Sequence, residues 1–328
     1  MKTFLSGIQP SGLLHLGNYF GAIRQHVASL EEPGEHFYFI ADMHALTTCR
    51  DADALRNQVR ETAVTYLSLG LDPERAVIFR QSDIREITEL QWLLSCVTGM
   101  GLLERAHSFK DKTAKGIKPN VGLFTYPILM AADILAYDSD IVPVGKDQVQ
   151  HIEMAQDMAG YFNNTFGEGC FKRPEARLAV EEKYAKVPGL DGEKMSKSYG
   201  NSLWIFESGK KLKKAIGRIA TDSRPPEEPK DPSELLVFDF LELFLEDADE
   251  LADWQRRVRE GGEGAPGYGH LKQRLIAAVE DHFADARERR EEWLAHPERI
   301  DEVLARGAER ASSRARVVRD RCFAACGL

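Results

Sequence analysis

Lys194 and Lys197 stand three residues apart in GLDGEKMSKSYGN, which runs from Gly189 to Asn201. Two point charges in a Gly-flanked, Ser-rich loop are placed to close over a polyphosphate and to stabilise charge as it moves onto departing pyrophosphate. The same composition also describes an ordinary solvated loop. A second group lies near the start of the chain, where PSGLLHLGN (Pro10 to Asn18) puts an imidazole, His15, and an amide, Asn18, in the first turn of a helix. Backbone N–H groups there favour an anion, and Gly17 lets an adenine ring or a ribose approach the main chain. The alternative is a plain helix start in which His15 and Asn18 only cap. Gly7, Gly12 and Gly17 do not form G-x-G-x-x-G, and G-x-x-x-x-G-K-[ST] occurs nowhere.

Polar residues also gather where apolar runs end. VPVGKDQVQH carries Lys146, Asp147 and Gln148, ADMH carries Asp42 and His44, and RQSD carries Gln81 and Ser82. In an open parallel sheet the carboxyl ends of neighbouring strands line one crevice, so these residues are expected to converge. YPILMAADILAY, Tyr126 to Tyr137, reads as a helix with Pro127 at its opening, and Tyr126, Met130, Asp133 and Tyr137 recur on one face. Leu129, Ile134 and Leu135 leave that helix little polar surface, so the Asp133 carboxylate needs a donor partner.

The elements that must position these groups are β-like runs at Phe4-Leu5, His36 to Asp42, Ala76 to Ser82 and Asp140 to Gly145, separated by helical patterns. That alternation predicts an open α/β fold with a parallel sheet, whose first βα turn lies in TFLSGIQPSGLLHLGNYFGA. The 328 residues exceed a usual single domain. After about residue 205 strands give way to charged helical sequence broken by DSRPPEEPKDPSE and EGGEGAPGYG. The expected division is 1–205, a catalytic domain, and 206–328, an all-helical domain whose last helix, Glu298 to Phe323, packs back on the first. EITELQWLLSCVTGMGLLERAH, with Trp92, Val97, Met100 and Leu103, is either a core helix or a subunit interface.

A net charge of -9 argues against indiscriminate nucleic-acid binding but leaves room for a local basic track, and GKKLKKAIGR (Lys210, Lys211, Lys213, Lys214, Arg218) is the strongest one. No leader or uninterrupted apolar span is present, since the best candidates carry Asp133 or Asp239 with Glu242, so a soluble intracellular protein is expected. Five scattered cysteines fit a reducing compartment, with Cys322 and Cys326 read as packing residues.

In this order the pieces resemble the class I aminoacyl-tRNA synthetases, and within them the bacterial tryptophan branch. HLGN, His15 to Asn18, matches the class's HIGH signature with Asn18 replacing its last His, and KMSKS, Lys194 to Ser198, matches the second signature in full. SGIQPSG, YPILMAAD, VPVGKDQVQH, TDSRPPEEPKDP and GYG extend the likeness over nearly the whole chain. The resemblance implies a Rossmann catalytic domain, a helical anticodon-binding domain, a cytoplasmic homodimer, ATP with Mg²⁺ and no protein-held metal. It implies formation of tryptophanyl-adenylate from L-tryptophan and transfer to tRNA(Trp). By motif, His15, Gly17 and Asn18 would meet ATP phosphate and adenosine, Gln9 and Asp147 the ribose region, and the Lys194, Met195, Ser196, Lys197 loop the triphosphate. Lys194 and Lys197 would act on the leaving pyrophosphate, with Asn18 and Lys112 of SFKDK as further catalytic candidates. Tyr126, Met130, Asp133 and Gln148 would hold tryptophan, with His44 and Phe4 as walls. Asp133 would accept the indole N–H; a phenol can donate too, so tyrosine must be rejected by shape. Lys146 departs from the acidic or neutral residue frequent at that place. A nucleotidylyltransferase of the HxGH kind would explain HLGN but not the helical domain, and a non-catalytic paralogue would not need the lysine pair.

Overall fold

The computed structural model describes residues 1–106, 120–145, 148–178, 184 and 187–328. Five strands, β1 (Lys2–Ile8), β2 (Gly34–Ile40), β3 (Ala76–Arg80), β4 (Ile141–Val144) and β5 (Glu175–Leu178), form one sheet in the order β3-β2-β1-β4-β5, with every pair parallel. The apolar runs make strands because helices cover the sheet. Leu5, Phe37, Phe39, Val77 and Phe79 enter one core with residues of the Glu86–Val97, Val121–Leu135 and Val149–Phe166 helices.

Strand order reverses between β1 and β4, and there the pairing thins. β1 matches β2 over all seven residues from Lys2↔Gly34 to Ile8↔Ile40, but meets β4 in register only at Phe4↔Ile141. Pro143 has no N–H to give a ladder, and the Ser6 hydroxyl donates to its carbonyl at 3.4 Å instead. The carboxyl ends of β1 and β4 are thus free to splay, which is where an open α/β sheet admits its ligand.

By Cα packing the chain divides into two compact units, Met1–Leu13 with Gln25–Ala179 and Glu292–Leu328, and Leu14–Arg24 with Val180–Glu291. Within the first, the long helix Pro297–Cys326 lies against β3. Gly307 makes the approach possible, because a Cβ there would overlap the Ile78 carbonyl. Arg319 pairs with Glu89 at 2.7 Å and Arg321 with Asp138 at 2.6 Å, half-exposed contacts that fix register more than they stabilise. On the Glu86–Val97 helix and the turn after it Trp92 and Met100 are 70% and 63% exposed, whereas Leu103 is buried and Val97 packs on the core. The excess apolar surface read from the sequence therefore divides: Leu103 and Val97 face inward, while Trp92 and Met100 are each exposed.

The Val121–Leu135 helix starts earlier than the sequence suggests. Asn120 caps it by accepting from Leu123 N–H at 2.9 Å, which leaves Pro127 inside the helix rather than at its opening. An interior Pro gives up one helical hydrogen bond, and the burial of most of the helix from Pro127 onward offsets that loss. Tyr137 falls past the helix end and stacks on Phe37 with centroids 5.1 Å apart, so it is a core residue.

The second unit is helical, with Leu236–Phe244 and Tyr268–His282 packed around Phe238, Phe240, Leu275 and Val279. In Gly209–Gly217, Leu212 and Ile216 turn inward while Lys210, Lys211, Lys213 and Lys214 face solvent.

Candidate functional site

In the first unit, two strand-end segments, those after β2 and β3, converge on Asp133, which is 2% exposed. Gln81 Nε2 donates to Asp133 Oδ2 at 2.8 Å and to Oδ1 at 3.0 Å, and His44 Nε2 lies 3.0 Å from Oδ2. The need for a donor partner inferred from the sequence is met twice. Burial pushes the Asp133 carboxyl above the usual carboxylate range, and the bonds from His44 and Gln81 oppose that shift. Beside it Asp42 accepts from Ser82 N–H at 3.0 Å and from its hydroxyl at 2.5 Å, locking the turn after β3 to the helix Asp42–Ala45. Tyr126 stands edge-on to His44 with centroids 6.2 Å apart, and its hydroxyl meets His151 Nε2 at 2.7 Å. Met130 is half-buried on the same helix. A cavity of about 340 Å³ opens beside them, lined by Met43, His44, Thr47, Tyr126 and Leu129 among others. Its walls mix apolar Met43, Leu46 and Leu129 with polar Thr47, Arg50, Gln91, Asn120 and Thr125, a lining that suits a ligand with both a ring and charged groups.

Phe4 is not brought to this group. Successive strand residues face opposite sides, and the Phe4 ring stacks on His36 at 4.6 Å with the Arg177 guanidinium 5.2 Å from its centroid. Leu5, one residue on, is the β1 side chain that joins the core shared with Leu129 and Ala132. Assigning a pocket wall to Phe4 is thus corrected by one position. Gln9 is exposed just past β1, and Gln148 is half-buried at the start of the Val149–Phe166 helix. Lys112, Asp147 and Lys146 lie outside the described residues.

In the second unit the HLGN turn and the segment that follows KMSKS, remote in sequence, share backbone hydrogen bonds. Leu16 N–H donates to the Leu203 carbonyl at 2.9 Å and Ile205 N–H to the Leu14 carbonyl at 3.2 Å, so the HLGN turn lies along the chain that follows KMSKS. Asn18 Oδ1 accepts from the His15 N–H at 3.0 Å, the capping role, and its amide NH₂ is what remains for a ligand. The helix is short, Leu16–Asn18, and passes into a π-turn at Tyr19–Ile23. His15 packs against Trp204 with centroids 6.2 Å apart, and its Nδ1 is buried without a partner among the described residues. Desolvation, with Lys197 nearby, holds its imidazole down to about 4, so it is neutral at physiological pH. Gly17 is needed here: a Cβ would meet the His15 ring at 3.0 Å.

The lysine loop is held from beneath. Asn201 Oδ1 accepts from Ser196 N–H at 2.9 Å, and its Nδ2 donates to Asp191 Oδ1 at 2.8 Å and to the Lys194 carbonyl at 3.2 Å. Met195 is buried, which leaves Lys194 exposed. The Lys197 ammonium sits 5.9 Å from the Trp204 centroid, and desolvation lowers its pKa. Gln81, His151, Asn201 and Trp204 complete these groups. Gln81 was legible as a strand-end polar residue, and His151 and Asn201 stood in the quoted motifs, but Trp204 carries no local signal.

Residues 1–284 match the family model described as tRNA synthetases class I (W and Y). The chain is 53% identical over 324 residues to a tryptophan–tRNA ligase of Rhodopirellula baltica, covering 99% of each. It is 48% identical to one of Campylobacter jejuni, again over 99% of each. Among solved structures, a tryptophanyl-tRNA synthetase of Campylobacter jejuni complexed with ADP and tryptophan superposes with a TM-score of 0.91 at 48% identity, over 99% of this chain and 100% of the other. The synthetase of Mycoplasma pneumoniae gives 0.79 at 28% identity, over 100% of this chain and 98% of the other.

Proposed function

The chain belongs to the class I tRNA synthetases of the tryptophan and tyrosine group, its activity is that of a tryptophan–tRNA ligase, and from that premise we propose how its residues divide the work. ATP is a substrate. Its phosphates and adenosine are received by the HLGN turn, through backbone N–H groups, the Asn18 amide and a neutral His15, with Gln9 and Asp147 toward the ribose. L-tryptophan is taken by the pocket around Asp133, with Tyr126, His44, Met130 and Gln148 about it and Leu5 on the core side. The carboxylate of tryptophan attacks the α-phosphorus, and the P–O bond to pyrophosphate breaks. No covalent bond to the protein is needed, so the enzyme contributes alignment and charge neutralisation, the second from Lys194, Lys197 and Lys112. The 3′-terminal adenosine of tRNA(Trp) then takes the tryptophanyl group and AMP leaves.

Most support comes from the backbone hydrogen bonds that join HLGN to the segment after KMSKS, because they bring two weak motifs into one constellation. Among the described residues no three His, Cys, Asp or Glu side chains gather to hold a metal. Mg²⁺ enters this reading as the counter-ion carried by ATP's own phosphates. No helix among the described residues is long and apolar enough to cross a membrane, and the reading puts the enzyme in the cytoplasm. Pyrophosphate exchange into ATP should depend on tryptophan and hardly respond to tyrosine. Equal response to tyrosine would overturn the assignment to tryptophan.

The exposed Trp92 and Met100 fit a twofold interface between copies. Sedimentation at micromolar concentration should give about twice the chain mass, and Trp92→Glu should return it to the monomer; an active wild-type monomer would remove the dimer from the reading. The four exposed lysines of Gly209–Gly217 fit a contact with tRNA phosphates. Neutralising two of them should flatten the log–log salt dependence of tRNA binding by roughly one unit of slope per lost contact while sparing adenylate formation. An unchanged slope would leave the track as a solvated helix face.

A further inference from the structure

We propose that Gln81 is the positioning residue of the tryptophan site: its amide is wedged between the Asp133 carboxylate and the main chain of the Asp42–Ala45 helix, and it sets the direction in which Asp133 accepts a hydrogen bond. The proposal rests on the reading of Asp133 as the indole acceptor. Gln81 is completely buried. Its Oε1 accepts from Met43 N–H at 3.1 Å and from His44 N–H at 3.4 Å, which fixes the amide's orientation and turns its NH₂ toward Asp133.

The bonds close a ring. Gln81 holds the His44 main chain, the His44 ring reaches Asp133 Oδ2, and Asp133 is bound back to Gln81. Oδ2 thereby meets two donors at 2.8 and 3.0 Å, while among the described residues Oδ1 has only the longer Gln81 contact at 3.0 Å. A carboxylate has about four acceptor positions. The spare capacity is concentrated on Oδ1, and the proposal therefore gives that atom to the indole N–H. No other residue type fills this place. Glu would set a second anion against Asp133, and Met or Leu would take from the His44 N–H and from Asp133 Oδ1 the partner that Gln81 gives them, while Met43 N–H kept Asp42 and Oδ2 kept His44.

Other charged and titratable groups in this region are Asp42 and His44 on the Asp42–Ala45 helix, Tyr126 on the Val121–Leu135 helix, Asp83 on Gln81's own turn, Glu86 at the start of the next helix, and Tyr137. Asp42 is held by Ser82, and its charge acts against ionisation of Asp133.

Two variants test the proposal in pyrophosphate exchange. Gln81→Met should raise the tryptophan KM about tenfold or more and narrow the preference for tryptophan over phenylalanine, with the ATP KM unchanged. Gln81→Glu converts the site into a carboxyl pair, which titrates as a unit. While one proton is shared, the introduced carboxyl donates to Asp133 as the amide did, and the tryptophan KM should approach that of wild type. As pH rises and that proton leaves, two anions face each other and the KM should climb, a rise the wild type lacks. A folding defect would lower the amount of active enzyme rather than create a titration in one protein. An unchanged tryptophan KM in Gln81→Met, or parallel pH profiles for Gln81→Glu and wild type, would make Gln81 a packing residue while the family-level function stood. Wild-type exchange that ignored tryptophan would instead remove the site reading and the proposal together.

Discussion

Lys194→Ala is expected to lower kcat for tryptophanyl-adenylate formation by about 10²-fold or more, with little change in the tryptophan KM. The exposed Lys194 ammonium makes no contribution to holding its own loop, which depends on Asn201 bonds to the Ser196 N–H and the Lys194 carbonyl and on buried Met195. Truncating the side chain therefore removes a charge and leaves the backbone in place. A charge aimed at the leaving pyrophosphate acts where negative charge grows during the reaction, so its loss falls on kcat; a 10²-fold drop corresponds to about 2.7 kcal/mol of transition-state stabilisation. Lys197→Ala is a less clean experiment, since it also removes the cation from the Trp204 ring that packs on His15. Single-turnover measurement of adenylate formation decides the point. Near-normal kcat in Lys194→Ala would withdraw the lysine from catalysis.

Much of this arrangement was legible because its signals are local. Alternation of apolar runs with helical sequence predicts a parallel sheet, and a strand end predicts a crevice-facing residue, so Asp42, His44 and Gln81 are expected to share one crevice, while Asp133 shows only its need for a donor and not which residue supplies it. What failed was register. Phe4 and Leu5 are both apolar and adjacent in one strand, and only cross-sheet packing decides which of them faces the helix that carries Asp133. The Pro127 error has a similar source: Pro is common at a helix start, and the cap that moves the start back to Asn120 is a single amide oxygen. Trp204 was invisible for a different reason. It matters through packing against His15 and Lys197, and nothing in its neighbours' composition marks a contact made across so much sequence.

Asp133→Ala is expected to reduce kcat/KM for tryptophan by about 2 kcal/mol or more, and to erase most of the margin over phenylalanine. The carboxylate is almost fully buried and already accepts from two side chains, so any ligand that closes the pocket without offering a donor leaves Oδ1 short of a partner. Phenylalanine is such a ligand, and sites built to receive a hydrogen bond reject analogues lacking the donor by roughly 10⁴. Removing the carboxylate cancels that penalty for phenylalanine while it costs tryptophan its bond, so the two substrates converge from both sides. Gln81 and His44 lose their acceptor as well, and the variant should unfold at lower temperature; Asp133→Asn, which keeps an acceptor oxygen, separates this cost from recognition. The pH dependence has a definite sign. Burial raises the Asp133 pKa, and protonation removes the charge that strengthens the bond and turns one oxygen into a donor, so the wild-type tryptophan KM should rise on acidification sooner than an exposed carboxylate would predict. In Asp133→Ala that acid limb should vanish. If instead the ratio of kcat/KM values for tryptophan and phenylalanine survives the substitution, Asp133 belongs to the framework of the Val121–Leu135 helix, and the indole is read by another group.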